Sequence, residues 1–182
     1  MIGMRRVILA LLVCTLPLAH AETLTGRVVR VTDGDTLVIL APNNAQHKIR
    51  LQGIDAPERG QAYGTKSKEH LSELVAGKFV VIEFDKYDRY GRIIGKVLLS
   101  GADMNLEQIK AGLAWHYKKY QGEQSASDRV KYSDAEREAR RLKLGLWHDP
   151  NPVPPWEYRQ ASRERMKDLE PFVGKSRVGT TP

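Results

Sequence analysis

Acidic side chains gather where strand-like stretches meet turns. Asp33 and Asp35 flank Gly34 ahead of one such stretch, and Asp55 and Glu58 follow another. Two carboxylates held about 5 Å apart repel by roughly 3 kcal/mol at an effective dielectric of 20, so such a pair wants a proton or a cation between its members. The nearby donors are hard oxygens, without thiolates and with little histidine, and these suit Ca²⁺ or Mg²⁺. Asp-Gly-Asp is equally a common surface turn, so the reading requires the two acidic groups to meet in space. Arg50 lies five residues before Asp55. There Ile49 and Leu51 alternate with Lys48, Arg50 and Gln52, and a period of two sends the apolar pair to one face and Arg50 to the other. The polar loop 85–92 contributes Asp88, Arg89, Tyr90 and Arg92. Taken singly, Arg50 and Arg92 are also ordinary ion-pair partners of surface carboxylates.

Aromatic and basic residues alternate in Trp115-His116-Tyr117-Lys118-Lys119-Tyr120. A flat ring can stack on a base for roughly 1–3 kcal/mol whatever the sequence, while Lys118 and Lys119 follow phosphates. Alternatively Trp115 and one tyrosine fill the edge of the core. His47, His70, His116 and His148 are scattered without metal-ligand spacing, which argues against a histidine-pair ribonuclease.

The elements that must position these residues follow from periodicity and turn chemistry. Residues 23–31, 36–40 and 47–54 read as a meander of strands, separated by Asp33-Gly34-Asp35 and Pro42-Asn43-Asn44. A helix over 65–75 closes at Gly77, and strands follow over 79–84 and 93–99. Asp103 can cap a short helix running to Ala111, with Gly112 beyond it. A third helix spans about 127–144, where Tyr132, Ala135, Ala139, Leu142 and Leu146 recur at steps of three and four, and it is expected to lie against the sheet. Five strands joined mostly by turns are the pattern of a small closed antiparallel barrel, with a generic α+β sheet as the alternative. Pro150, Pro152, Pro154 and Pro155 are expected to end regular structure, leaving a polar tail whose last residues are disordered.

The segments Asp33-Gly34-Asp35-Thr36, 50–58, 88–92 and 135–147, in that order within residues 23–147, resemble the staphylococcal nuclease (thermonuclease-like) family. The resemblance implies an α+β, mainly β fold: a five-stranded oligonucleotide-binding barrel with three helices. It further implies a Ca²⁺-dependent phosphodiesterase acting on DNA and RNA, with single strands favoured. Carried over by position, Asp35 and Asp55 are the carboxylate ligands of Ca²⁺. The backbone carbonyl of Ala56 joins them, where the family more often has threonine. Glu58 positions or deprotonates the attacking water, and Arg50 and Arg92 grip the phosphate. Arg89, Tyr90, Tyr117, Lys118 and Tyr120 are the implied substrate contacts, and the outcome is cleavage at the 5′ oxygen, leaving 3′-phosphate ends. The loop after Glu58 is shorter than in the type member, which bears on the freedom of Glu58.

The same set makes chemical sense without the resemblance. Hydrolysing an unactivated phosphodiester needs the barrier lowered by on the order of 20 kcal/mol, of which a general base supplies only about 3–5. Charge stabilisation must supply most of the rest, and the planar fork of Arg can bind two phosphoryl oxygens at once.

Composition sets the outer limits. The chain has 182 residues with 29 Lys plus Arg against 22 Asp plus Glu, a net charge of +7, so anionic partners are favoured and nucleic acid first among them. A single cysteine excludes internal disulfides and thiolate zinc cages. Arg5 and Arg6, the apolar run that follows them and Ala19-His20-Ala21 form a secretory signal peptide with cleavage expected after Ala21. The expected organisation is therefore a signal peptide over 1–21, a nuclease domain over 22–150 and a Pro-rich, polar tail over 151–182, in a periplasmic or secreted monomer. Two other classes compete: a noncatalytic nucleic-acid-binding module on the same barrel, and an envelope protein whose basic surface meets anionic lipid or glycan.

Overall fold

The structure, a computed structural model, describes residues 22–173, with side chains up to Asp168. The expected signal peptide and the far end of the tail lie outside the described residues. Strands β1 (Glu22–Asp33), β2 (Thr36–Leu40), β3 (Gln46–Leu51), β5 (Phe79–Tyr87) and β6 (Ile93–Leu99) build a five-stranded barrel. β1 sits between β2 and β5, and β3 and β6 extend the two sides. The barrel closes where β3 meets β6, with Ile49 opposite Ile93 and Leu51 opposite Gly95.

That closing pair is parallel, whereas an all-antiparallel barrel was expected from the turn-rich sequence. The reason lies in the connection. A whole helix and a strand separate β3 from β6, long enough for the chain to return in the same direction, as a parallel pair demands. The predicted third strand is also shorter than expected, because Gln52 and Gly53 turn the chain before the two-residue strand β4 (Ile54–Asp55). Small strands β7 (Ala102–Asp103) and β8 (Trp115–His116) complete the set.

Alternation along the strands fills the barrel with Leu37, Ile39, Ile49, Leu51, Ile82, Ile93 and Val97, all fully buried. Helix α1 (Gly64–Val75) adds Leu71 and Val75, and α2 (Met104–Lys110) adds Ile109. Asp103 caps α2 by accepting from the Leu106 N–H at 3.1 Å. Helix α3 (Ala126–Arg141) packs chiefly on α2 and β8 instead of on the barrel sheet. Tyr132, buried on α3, donates its hydroxyl to Asp103 at 2.8 Å, and Lys96 reaches Asp128 at 2.6 Å.

A second cluster forms beside α3 from Trp115, Ala139, Leu146 and Trp147, so Trp115 fills a core edge. Beyond the prolines the chain forms another helix, α4 (Pro155–Val173), where no regular structure was expected. Proline stops a helix from its interior but favours the first position, where its missing N–H costs nothing, and Pro155 occupies that position. Trp156 on α4 stacks on Tyr117 with centroids 5.4 Å apart and rings 9° from parallel, and meets Trp115 edge-on at 5.5 Å. α4 is thereby attached to the barrel end that carries the acidic turns.

Candidate active site

The Asp33–Asp35 turn is set by close packing. A Cβ on Gly34 would lie 1.8 Å from Ser67 Oγ and 2.8 Å from the Ala56 Cβ, so only glycine lets the turn approach α1. Gln108, fully buried on α2, donates to the Gly34 carbonyl at 2.6 Å and to the Ser67 carbonyl at 3.0 Å. Asp35 is thus presented at the mouth of the barrel, where its Oδ1 accepts from the Thr36 hydroxyl at 3.0 Å and its Oδ2 from the Ala56 N–H at 2.8 Å. Burial and the neighbouring Asp35 push the Asp33 carboxyl up to about 7.

Asp55 arrives from β4, which pairs with β8 so that Asp55 faces Trp115 in register. It is fully buried. Arg50, on the outward face of β3, bridges the two acids: Nη1 lies 2.7 Å from Asp35 Oδ2 and Nη2 lies 2.8 Å from Asp55 Oδ1. The convergence of Asp35, Asp55 and Arg50 expected from the sequence is therefore present.

A residue that the sequence reading passed over completes the cluster. Arg159, on the second turn of α4, donates Nη2 to Asp55 Oδ2 at 2.7 Å and Nη1 to Asp55 Oδ1 at 3.1 Å, and also reaches Glu58 Oε1 at 2.6 Å. Burial holds the Asp55 carboxyl above its ordinary value, against the opposing pull of Arg159 and Arg50. Burial in turn opposes the charge on Arg159, but its bonds to Asp55 and Glu58 outweigh that and raise its affinity for the proton. The signal for Arg159 was present in the tail: Trp156, Arg159 and Arg163 recur at steps of three and four after an N1 proline.

The loop carrying Glu58 is short and tied at several points. Its carbonyl accepts from the Gln61 N–H at 2.9 Å and its N–H donates to Gln61 Oε1 at 3.0 Å, while Gln61 reaches across to the Val153 carbonyl at 2.7 Å. A Cβ on Gly64 would lie 2.1 Å from the Glu58 carbonyl oxygen, so α1 starts directly against this loop. The Glu58 backbone is held while its side chain keeps 37% of its surface exposed. A base that must meet solvent water needs that combination.

Arg92 is placed differently. It lines the same cleft of ≈ 1010 Å³ as Asp35, Arg50 and Glu58, but its Nε bonds Asp88 Oδ2 at 2.7 Å and not the acidic pair. Burial works against the Asp88 charge, yet bonds from Arg92 and Tyr90 hold its carboxyl below the usual range. Arg89 donates to the Tyr90 hydroxyl at 2.6 Å, and Tyr90 stands exposed at the rim of this cleft. Tyr117 and Tyr120 line it too, meeting edge-on at 5.0 Å, and burial with the nearby Asp55 raises the Tyr117 hydroxyl. Lys118 points into an adjoining groove, where it pairs with Glu136 at 2.6 Å. Ala56 is buried, with its N–H on Asp35.

Residues 48–149 match the family described as staphylococcal nuclease homologue. The chain belongs to that family. Relatives extend the likeness past the matched segment. An "uncharacterized endonuclease" of Haemophilus influenzae is 40% identical over 158 residues, covering 87% of this chain and 85% of its own. A protein of the same description from Escherichia coli is 43% identical over 152 residues, covering 83% and 94%. A "micrococcal nuclease" of Shigella flexneri is 40% identical over 147 residues, covering 76% and 82%. The barrel has the form expected of the family, and membership implies a nucleic-acid hydrolase that works with a metal ion.

The donors fit such an ion in part. Asp35 and Asp55 offer hard oxygens close enough to share one guanidinium, yet among the described residues no three His, Cys, Asp or Glu side chains converge as a ligand set. Hard cations bound by two carboxylates complete their sphere with carbonyls, water or substrate phosphate, and the cleft is open to all three. Arg159 now supplies positive charge to the same Asp55 oxygens. Arg159→Gln is therefore expected to raise divalent-cation affinity at least about tenfold, because a competing like charge is removed. Calorimetric titration without substrate would measure it, and an unchanged affinity would show that Arg159 and the cation do not compete.

Proposed function

We propose that this chain is a Ca²⁺-dependent nuclease that hydrolyses phosphodiester bonds of DNA and RNA with little sequence preference, by cleavage at the 5′ oxygen, leaving 3′-phosphate ends. The observation that carries the reading is the joint placement of Asp35, Arg50 and Glu58 at one barrel mouth, over the buried Asp55 that Arg50 also binds, in a cleft that Arg92 lines too. Exposed Tyr90 and Tyr120 at this cleft favour unpaired strands, whose bases are free to stack. The signal-like segment 1–21 supports export to the periplasm or beyond.

Each side chain has a distinct task in this scheme. Asp35 and Asp55 would hold the cation, which when bound supplies charge stabilisation at the phosphoryl oxygens. Glu58, half-exposed on its tied loop, takes a proton from water aimed at phosphorus. Arg50 spends one hydrogen of each Nη on a carboxylate, which fixes the guanidinium plane and leaves its remaining N–H donors for a phosphoryl group entering the cleft. Arg92 has one bond to Asp88 through Nε and is a candidate for the far phosphoryl oxygens with its remaining donors.

A noncatalytic binding module on the same barrel would need positive charge without acids beside the ligand, since carboxylates repel phosphate. Asp35 and Glu58 in the cleft, with Asp55 buried just behind them, weigh against it.

An end-labelled oligonucleotide incubated with the purified chain in Ca²⁺, in Mg²⁺ and in chelator tests the reading. Cleavage is expected with Ca²⁺ and none with chelator, and the products should carry 3′-phosphates. Undiminished cleavage in chelator, or no cleavage at all, would overturn it. In the same assay Arg92→Ala should lose about two to three orders of magnitude in rate, as for one removed charge-stabilising donor. A normal rate would leave Arg92 as the partner of Asp88 alone.

A further inference from the structure

The acidic cluster opens on two grooves. Beside the cleft already described runs a second groove of ≈ 990 Å³, between α4 on one wall and the segment after β8 on the other. The two share Arg89, Tyr117, Tyr120, Arg159 and Arg163 in their linings, so they are continuous around the foot of α4. Along α4 the basic residues on this side are Arg159, Arg163 and Lys167, spaced four apart and therefore on one face, with Trp156, Gln160 and Glu164 beside them.

We propose that this basic face of α4 carries the substrate strand beyond the scissile phosphate, as a second binding region for single-stranded nucleic acid. The inference rests on the nuclease reading and extends it to a helix outside the residues matched to the family. Arg159 sits at the acids, Arg163 borders both grooves and Lys167 borders only the outer one, so positive charge leads outward from the reacting centre. From Arg159 to Lys167 the helix advances about 12 Å, on the order of three phosphates at stacked spacing. The opposite wall brings exposed Lys119 and the exposed ring of Tyr120. Glu136 on this wall is already neutralised by Lys118 at 2.6 Å and Arg140 at 3.5 Å, and among the described residues Glu164 is the remaining acid in the lining. Polyanion with unpaired bases is the occupant that this combination of cations and rings suits. Trp156 stacked on Tyr117 ties the foot of α4 to the opposite wall, so both walls are in place before a strand binds.

The test measures affinity for labelled oligo-deoxythymidylate of 4 and 16 nucleotides, in a Glu58→Gln background to prevent turnover. Arg163→Gln with Lys167→Gln should weaken the 16-mer roughly 25-fold at 0.1 M salt and lower the slope of log affinity on log salt by about 1.4, two contacts' worth. The loss for the 4-mer should be smaller. Arg137→Gln with Arg141→Gln makes the same charge change on the exposed face of α3, at residues that line neither groove, and should leave the 16-mer within about twofold. Arg163→Lys with Lys167→Arg, which keeps both charges, should retain the affinity and so rules out helix disruption as the cause. Unaltered 16-mer binding in the Gln pair, or an equal loss in the α3 pair, would overturn the proposal. Failure of the nuclease reading would appear separately, as intact substrate in the cleavage assay of the unmodified chain.

Discussion

Glu58→Gln is expected to lower turnover by about two to four orders of magnitude while leaving substrate affinity within a few-fold. The substitution is nearly isosteric and removes the group that accepts a proton. Glutamine keeps an oxygen that can still accept from Arg159, so the link from α4 to this loop survives in weakened form. Because Gln61 and Gly64 hold the backbone at residue 58, the loop is not expected to move. The change should therefore fall on kcat and not on KM, the pattern of an interaction made in the transition state. Single-turnover rates at saturating oligonucleotide, with equilibrium binding measured in parallel, decide the matter. Comparable rates for the variant and the parent would remove Glu58 from the chemistry.

The residues whose neighbours are close in sequence were the ones the sequence made legible. Strand alternation around Ile49, Arg50 and Leu51 assigned the inward and outward faces correctly, because a period of two leaves no freedom once one face is buried. The sequence allowed Asp35 and Asp55 to meet without requiring it, and the pairing of β2 with β3 brings both onto Arg50. Properties set by distant partners were not legible. The direction of the β3–β6 closure depends on how α1 and β5 carry the chain back, and no local pattern records that. α3 shows an amphipathic spacing, which identifies a buried face without saying what covers it; α2 and β8 do so. Arg92, by contrast, has a local partner: it lines the cleft and pairs with Asp88 four residues away, the ordinary ion pair its position in the loop also allowed.

α4 was missed because four prolines in six residues look like an end to structure. The same residue type has opposite meanings by position, and Pro155 stands at the start of a helix instead of inside one. Missing α4 meant missing Arg159, and with it the second source of positive charge on Asp55. This matters for how a protein of net charge +7 tolerates buried acids at its working end. Asp55 is fully buried, and a lone carboxylate there would be costly; two guanidiniums from different ends of the chain neutralise it. α4 thus contributes to the folded site as well as bordering it.

Arg50 is the residue whose loss should do the most combined damage. Its side chain is 14% exposed and lies between carboxyls that are 9% and 0% exposed, so removing it strands Asp35 in a poorly solvated place and leaves Asp55 with Arg159 as its one remaining guanidinium. Breaking a buried pair in this way costs about 3–5 kcal/mol. Arg50→Ala is accordingly expected to lose that much stability to urea in the absence of divalent cation, and to recover part of it when Ca²⁺ is added, since the cation relieves the same repulsion. Arg50→Lys separates charge from geometry. An ammonium preserves the unit charge but cannot place two rigid donors on Asp35 and Asp55 together, nor offer a planar fork to a phosphate. The lysine variant should therefore keep more of the stability than the alanine variant yet still lose about two to three orders of magnitude in cleavage rate. Urea denaturation and single-turnover cleavage on the same preparations measure both quantities. A lysine variant that cleaves at the parental rate would mean that charge alone matters at this position, and the fork geometry would have no part in the reaction.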